Sequence, residues 1–220
     1  MILKIYILLF SLNFASELSD RYYNAMDKGI KMFESCKTEE DFLKTSNYFY
    51  RISQVSKNDW LSSYYYAYCN TSLSMMQDDT DIKELYLNKA YDIIAPYDSL
   101  KISNIDSVAI SEINTLKALI YVGKIFINPM VNGMKYGSLS QKSINKAISY
   151  CPQNPRPYYL NGQSKYYTPS AFGGGVDKAV PLLKKSLDNY KIFKSKKYWP
   201  DWGEDECQLL YEKAKNNEKK

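Results

Sequence analysis

The sequence has no histidine among its 220 residues. Histidine is the usual general base beside Ser and Cys nucleophiles and the commonest metal ligand near neutral pH, so its absence excludes those chemistries. Three neighbouring carboxylates, Glu204, Asp205 and Glu206, face no second carboxylate and suit the start of a last helix, where negative charge is stabilising. We predict that the protein is not an enzyme and that it has no catalytic residue, no cofactor and no metal site.

Cysteine is scarce, and the spacing of the cysteines is not that of a metal site. The four cysteines are far apart and form no CxxC pair, which excludes zinc-binding and thioredoxin-like arrangements. In an exported chain they could form up to two disulfides. The alternative is that they are small apolar residues buried in helices. Both hypotheses concern Cys36, Cys69, Cys151 and Cys207.

Long hydrophobic runs are also missing. The apolar run Ile5–Phe10 is too short to span a bilayer, but it follows a lysine and precedes small residues, which is the order of a secretory signal peptide. We predict a signal peptide at 1–16, one helical domain over 17–220 without a membrane span, and export to the periplasm or outside a bacterial cell. An uncleaved anchor or a buried first helix is the alternative.

Charge of one sign is not concentrated in this chain. The net charge is +5, from 29 basic and 24 acidic residues, and the basic runs at 194–197 and 219–220 are not interleaved with aromatic residues. A nucleic-acid groove combines both features, so no nucleic-acid partner is predicted. What the chain does have is 22 tyrosines, whose apolar rings and polar tips suit half-buried binding surfaces.

Hydrophobic residues recur at helical spacing almost everywhere. Between Ile105 and Ile127 they follow intervals of three and four, which makes one broad apolar stripe. Thr38 before acidic residues is typical of a helix N-terminus, and Pro129 is expected to lie in the loop that ends a long helix. The predicted helices are 20–35, 38–56, 59–76, 80–95, 105–127, 138–151, 155–168, 177–193 and 203–216.

The sequence repeats itself. Gly123 and Gly162 lie 39 residues apart, and the same offset relates Ala147 to Ser186. A further offset of 94 relates the two halves and carries Gly29 onto Gly123. Small residues at such positions let paired helices approach closely. We therefore predict an all-α fold, an α-solenoid of about four antiparallel helix pairs with a C-terminal capping helix.

The segment Lys146–Asn154, with Tyr158 and Gly162 after it, resembles the junction between tetratricopeptide (TPR) repeats. The segments 58–65, 128–133 and 167–175 resemble loops of exported bacterial TPR-like proteins of unknown function. This resemblance implies a TPR-like solenoid in an exported protein. It also implies a scaffold or adaptor that binds a protein or peptide partner on the concave face of the inner helices.

What the resemblance implies about the site is a concave groove lined by residues of the second and last pairs, namely Tyr65, Arg156, Tyr159, Gln163 and Tyr166. The alternative is that these tyrosines pack between repeats. Trp199 and Trp202 are expected to seal the last repeat, or else to dock a partner. A helical carbohydrate-binding or glycan-processing domain that uses aromatic residues and carboxylates is the alternative function.

Overall fold

The computed structural model describes residues 20–56, 59–98 and 105–218. Over these ranges the chain is helical without a strand, which confirms the predicted all-α fold. The predicted signal peptide at 1–16 lies outside the described residues. The helices are α1 (20–35), α2 (Glu39–Val55), α3 (Trp60–Met76), α4 (Thr80–Ile94), α5 (Ser107–Ile127), α6 (Pro129–Tyr150), α7 (Arg156–Tyr167), α8 (Val176–Ile192) and α9 (Glu204–Glu218), with short 3-10 turns at Ala95–Tyr97 and Ser170–Phe172.

Side-chain oxygens fix where several helices begin. Thr38 and Asp41 form a capping box at α2, in which each side chain accepts a hydrogen bond from the other residue's backbone N–H. Asp59, Asp79 and Asp106 cap α3, α4 and α5 more simply, since their side chains accept hydrogen bonds from backbone N–H groups of the first turn. These caps satisfy backbone donors that the helix leaves unpaired.

The expectation that Pro129 lies in a loop is wrong. Helix α6 begins at Pro129 rather than at 138, and Asn128 alone separates it from α5. The Asn128 side chain accepts a hydrogen bond from the Val131 N–H at 3.3 Å. A proline in the first turn loses no helical hydrogen bond, since its missing N–H has no partner there. The segment is therefore helical despite Gly133 and Gly137.

Consecutive helices pack as pairs: α3 with α4, α5 with α6, and α7 with α8, while α9 covers α8. Glycines allow the close approach. A Cβ on Gly29 would lie 2.7 Å from the Phe49 ring, and one on Gly162 would lie 2.7 Å from Leu183. Gly123 differs, because a Cβ placed on it would lie 2.6 Å from Leu87, which belongs to the preceding pair. None of the described helices is long and apolar enough to cross a membrane.

Asp98 joins the second and third pairs. Its carboxylate accepts hydrogen bonds from Lys117 of α5 at 2.5 Å and from Lys146 of α6 at 2.8 Å. Burial alone raises the pKa of this carboxyl, but the hydrogen bonds from the two lysines outweigh it and hold the pKa below its usual range. Asp98 therefore remains ionised and fixes the turn after α4 against both following helices.

Candidate functional site

The chain itself covers part of the face on which α3 and α7 were predicted to bind a partner. Residues 193–203, here called the crossing segment, leave α8 and run back over α3 and α7 before α9 begins. Trp199 packs edge-on against Trp60, with ring centroids 4.9 Å apart, and the Trp202 indole N–H donates to the Tyr64 hydroxyl at 2.9 Å. The expectation that these tryptophans seal the last repeat holds for Trp202, which packs on the apolar core of the last helices. It is wrong for Trp199, which packs on the core of the N-terminal half.

The crossing segment extends as far as α1. Tyr198 stacks on Tyr23 with centroids 6.0 Å apart, and the Lys197 ammonium lies 3.2 Å from the Asp27 carboxylate. The backbone of Tyr198 has a φ of 66°, in the left-handed region that non-glycine residues rarely adopt. Gly203, at a φ of 97°, then turns the chain into α9, where a Cβ would meet the Tyr190 hydroxyl at 2.6 Å.

Arg156, a predicted partner-binding residue, lies in the core beneath this segment. Its guanidinium donates to the Glu112 carboxylate at 2.9 Å and to the backbone carbonyl of Pro200. Both side chains of the ion pair are only 1% exposed. The guanidinium also lies 5.7 to 6.0 Å from three ring centroids, those of Tyr190, Phe193 and Trp202. Arg156 is therefore a structural residue that holds the crossing segment down.

The other predicted site residues separate into two groups. Tyr65 and Tyr159 are buried; the Tyr65 hydroxyl donates to the Tyr198 carbonyl, and burial raises the pKa of Tyr159 to about 12. Gln163 and Tyr166 are half-exposed, and the Tyr166 hydroxyl accepts a hydrogen bond from Asn217 of α9. Partner binding at these positions stays a prediction, with Gln163 and Tyr166 the accessible members of the set.

An open groove lies instead on the α1–α2 pair. It consists of two adjacent cavities of about 630 and 450 Å³ that share Tyr48 and Arg51, and we call it the Tyr48 groove. The first cavity is lined by Lys28, Met32, Lys44, Asn47, Tyr48, Tyr50 and Arg51. The second is lined by Arg21, Tyr22, Ala25, Tyr48, Arg51, Ile52, Val55 and Ser56.

The groove combines an aromatic wall with positive charge. The Lys28 ammonium lies 5.4 Å from the Tyr48 ring centroid and the Arg51 guanidinium lies 5.7 Å from it, both close enough for cation–π attraction. None of the described residues that line the two cavities is a carboxylate. Glu40 is near, but it pairs with Lys44 one turn along α2 at 2.6 Å. This arrangement suits a ligand with a flat apolar body and negative groups at its edge.

Two helix faces build this groove. Lys44, Tyr48, Arg51 and Val55 recur at intervals of three and four along α2, while Phe49 on the adjacent face packs into the core. The sequence signal for the groove was therefore this basic and aromatic stripe, repeated on α1. The resemblance to TPR repeats implies a site on the inner helices instead.

A third cavity, of about 340 Å³, lies at the start of α9 and is lined by Tyr190 and residues 201–206. Glu204, Asp205 and Glu206 occupy the first turn of α9, as the sequence predicted. Among the described residues no group of histidine, cysteine or carboxylate side chains could hold a metal ion. The four cysteines are free thiols, and Cys69, Cys151 and Cys207 are buried.

No family model and no curated protein matches the sequence. Membership of the TPR family therefore stays a prediction. Among solved structures, the chain is similar to the HusA haemophore from Porphyromonas gingivalis, at 29% sequence identity and a TM-score of 0.77. The match covers 89% of this chain and 94% of the haemophore. The two proteins thus share a helical fold over nearly their whole lengths.

Proposed function

We propose that this protein is an exported, non-enzymatic carrier that binds haem or a closely related tetrapyrrole in the Tyr48 groove. The observation that carries the proposal is the likeness to a haemophore over 94% of that protein's length. The predicted signal peptide at 1–16 supports export, because a haem carrier of this kind works outside the cytoplasm. The likeness favours a small ligand over the protein or peptide partner that the repeat pattern suggested.

The chemistry of the groove fits such a ligand. Haem is a flat apolar ring with carboxylates at one edge, and the Tyr48 ring offers a face on which it can stack. Lys28 and Arg51 lie beside that ring and supply charge for the carboxylates. The larger cavity, at about 630 Å³, falls within the range of about 300–1,000 Å³ that small-ligand pockets occupy.

Iron ligation in this protein differs from that of histidine-ligated haem proteins, because the chain contains no histidine. The residues in the groove whose side chains belong to known haem-ligand types are Met32, Tyr48 and Tyr50 in the first cavity and Tyr22 in the second. Stacking and charge pairing hold the ring with or without such a bond. Comparing haem with iron-free protoporphyrin therefore measures how much of the affinity the iron supplies.

The test is a titration of the purified protein with haem, followed by absorbance and by quenching of tryptophan fluorescence. Replacing Tyr48 and Arg51 together by Ala removes the stacking face and one cation, so we expect the Kd to rise by at least about tenfold. Tyr86 and Lys89 on α4 offer a matched control. They are also three residues apart, and the Lys89 ammonium lies 5.5 Å from the Tyr86 ring centroid.

The Tyr86→Ala, Lys89→Ala variant should bind haem like the unchanged protein. Equal affinity in all three proteins would remove the Tyr48 groove as the site, and no binding by the unchanged protein would remove the function itself. The adaptor and carbohydrate-binding hypotheses remain alternatives. A peptide that reached Tyr65 and Arg156 would have to displace the crossing segment, because that segment contacts both residues.

A further inference from the structure

The α5–α6 hairpin carries a tip that no other helix covers. Helices α5 and α6 have 21 and 22 residues, whereas α7 has 12 and α3 has 17. The first buried residue of α6 is Ser140, so the eleven residues from Pro129 to Leu139 pack only lightly, along the end of α5. A Cβ placed on Gly133 would meet no atom within 4 Å.

This tip, here called the methionine tip, exposes large apolar side chains. Met130 is 96% exposed, Met134 is 90%, Val131 is 70% and Phe126 of α5 is 60%. Met130 and Met134 lie one turn apart on the same side of α6, with Val131 beside them. Tyr167, the last residue of α7, and Phe172, in the short turn after it, are exposed as well.

The tip lies within a stretch of chain that has no acidic residue. Between Glu112 and Asp177 the sequence contains neither Asp nor Glu, but it contains six lysines and Arg156. Lys117 and Lys146 pair with Asp98, and Arg156 pairs with Glu112. The other lysines, which have no ion pair with a carboxylate among the described residues, are Lys124, Lys135, Lys142 and Lys165.

Two of these lysines belong to the tip itself. The Lys135 ammonium lies 4.9 Å from the Tyr136 ring centroid. The Lys124 ammonium lies 5.7 Å from the same ring and donates a hydrogen bond to the Asn88 side-chain oxygen at 2.6 Å. In the flanking pairs, Asp79 caps α4 and Asp177 lies in the first turn of α8, where the helix dipole offsets their charge. Glu84, Asp92 and Asp188 lie further along these two helices. The tip is therefore apolar at its end and cationic one turn behind.

We infer that the methionine tip docks on the surface of a lipid bilayer that contains anionic lipids. Met130, Val131 and Met134 enter the boundary between headgroups and acyl chains, and Lys135 meets the lipid phosphates. Tyr136 follows Lys135 at the depth where aromatic residues concentrate in membranes. Charge complementarity and the near-complete exposure of the two methionines favour a bilayer over a protein partner, because a protein interface is generally built around a pocket that receives an anchor.

This inference is independent of haem binding, since the tip shares no residue with the Tyr48 groove. The experiment is co-sedimentation of the purified protein with vesicles of phosphatidylcholine alone and with vesicles of phosphatidylcholine mixed with phosphatidylglycerol. We expect sedimentation with the mixed vesicles and at least about tenfold weaker partitioning for a Met130→Ser, Met134→Ser variant, because two large apolar groups leave the interface. The Lys135→Glu variant should bind the mixed vesicles more weakly than the unchanged protein, with no change in its binding to vesicles of phosphatidylcholine alone.

Leu209→Ser is the matched control, because Leu209 is 72% exposed on α9, outside the tip. It should sediment like the unchanged protein. The thermal unfolding midpoint of each variant checks that it is folded. We expect little change in this midpoint, because none of the four replaced side chains is buried. Failure of the unchanged protein to sediment with either vesicle, or equal loss in the tip and Leu209 variants, overturns the inference. Capture of a membrane protein by the tip in protein-containing membranes, without binding to pure lipid vesicles, also overturns it.

Discussion

Arg156 is the residue whose position in the structure differs most from the position that the sequence predicts. The TPR pattern places it on a binding face, yet the folded chain buries it against Glu112 under the crossing segment. The ion pair has only one hydrogen bond between its partners, because Glu112 Oε2 and Arg156 Nε have no hydrogen-bond partner among the described residues. Such a pair is costly to desolvate, and its value lies in fixing which segments meet.

Removing one member of this pair is therefore expected to be worse than removing both. Arg156→Met leaves the Glu112 carboxylate buried and unpaired, and we expect it to lower the free energy of unfolding by about 3–5 kcal/mol. Adding Glu112→Met should restore most of that loss. Urea unfolding of the two single variants and the double variant measures the coupling. If the two losses simply add, the ion pair has no structural role.

Among the helices, α6 and α7 show opposite uses of glycine. In α7, Gly162 lies where a side chain would strike Leu183 of its partner helix, at 2.7 Å from the side chain and 3.2 Å from the backbone nitrogen. In α6, Gly133 faces open space. Glycine inside a helix costs about 1 kcal/mol relative to alanine, so Gly162 has a packing reason and Gly133 has none within the described residues.

The same substitution at these two positions should have opposite signs. Gly162→Ala should lower the free energy of unfolding by about 1–3 kcal/mol, because a backbone atom cannot give way as a flexible side chain can. Gly133→Ala should raise it by about 0.5–1 kcal/mol through helix propensity alone. Thermal and urea unfolding of both variants provide the measurement. A loss of stability in Gly133→Ala would mean that the tip packs against something that the described residues do not include.

At the scale of the whole molecule, the crossing segment ties the ends of the solenoid together. A simple solenoid has contacts only between neighbouring repeats, so its ends can unfold separately. Here Tyr198 and Trp199 pack on the apolar core of the N-terminal half, and Trp202 packs on that of the C-terminal half. The long-range contacts make one cooperative unit of what would otherwise be a stack of helix pairs.

The unchanged protein should therefore unfold in one transition that is the same by circular dichroism and by tryptophan fluorescence. Trp199→Ala should lower the free energy of unfolding by about 2–4 kcal/mol, because it removes the contact with Trp60. In Leu209→Ser the change should stay within about 0.5 kcal/mol, as is usual for an exposed position. Two separate transitions in the unchanged protein would show that the crossing segment does not couple the halves.

Much of the fold was predictable because it depends on local chemistry. The hydrophobic spacing of α5, the capping residue Thr38, and the small residues Gly29 and Gly162 each act within one helix or one helix pair. The start of α6 differs from the prediction because proline and glycine favour both loops and helix ends. Contacts with α5 accompany the helix there, such as the Asn132 amide donating to the Lys124 carbonyl and Tyr136 stacking on Tyr121. For the Tyr48 groove, the sequence shows the basic stripe on α2, but it does not show which residues of α1 lie beside that stripe.

The sequence by itself determined that the chain is all-helical, that it forms paired helices, and that histidine-based chemistry is absent. Each of these follows from residue type or from spacing within a few turns. The tertiary structure decided which faces are open. Whether Tyr65 and Arg156 meet solvent depends on residues 193–203, which are far from Tyr65 along the chain and reach it only after folding. Long-range contacts produce no periodic pattern in the sequence. The covered face of α3 and α7 and the open Tyr48 groove could therefore be assigned only from the folded chain.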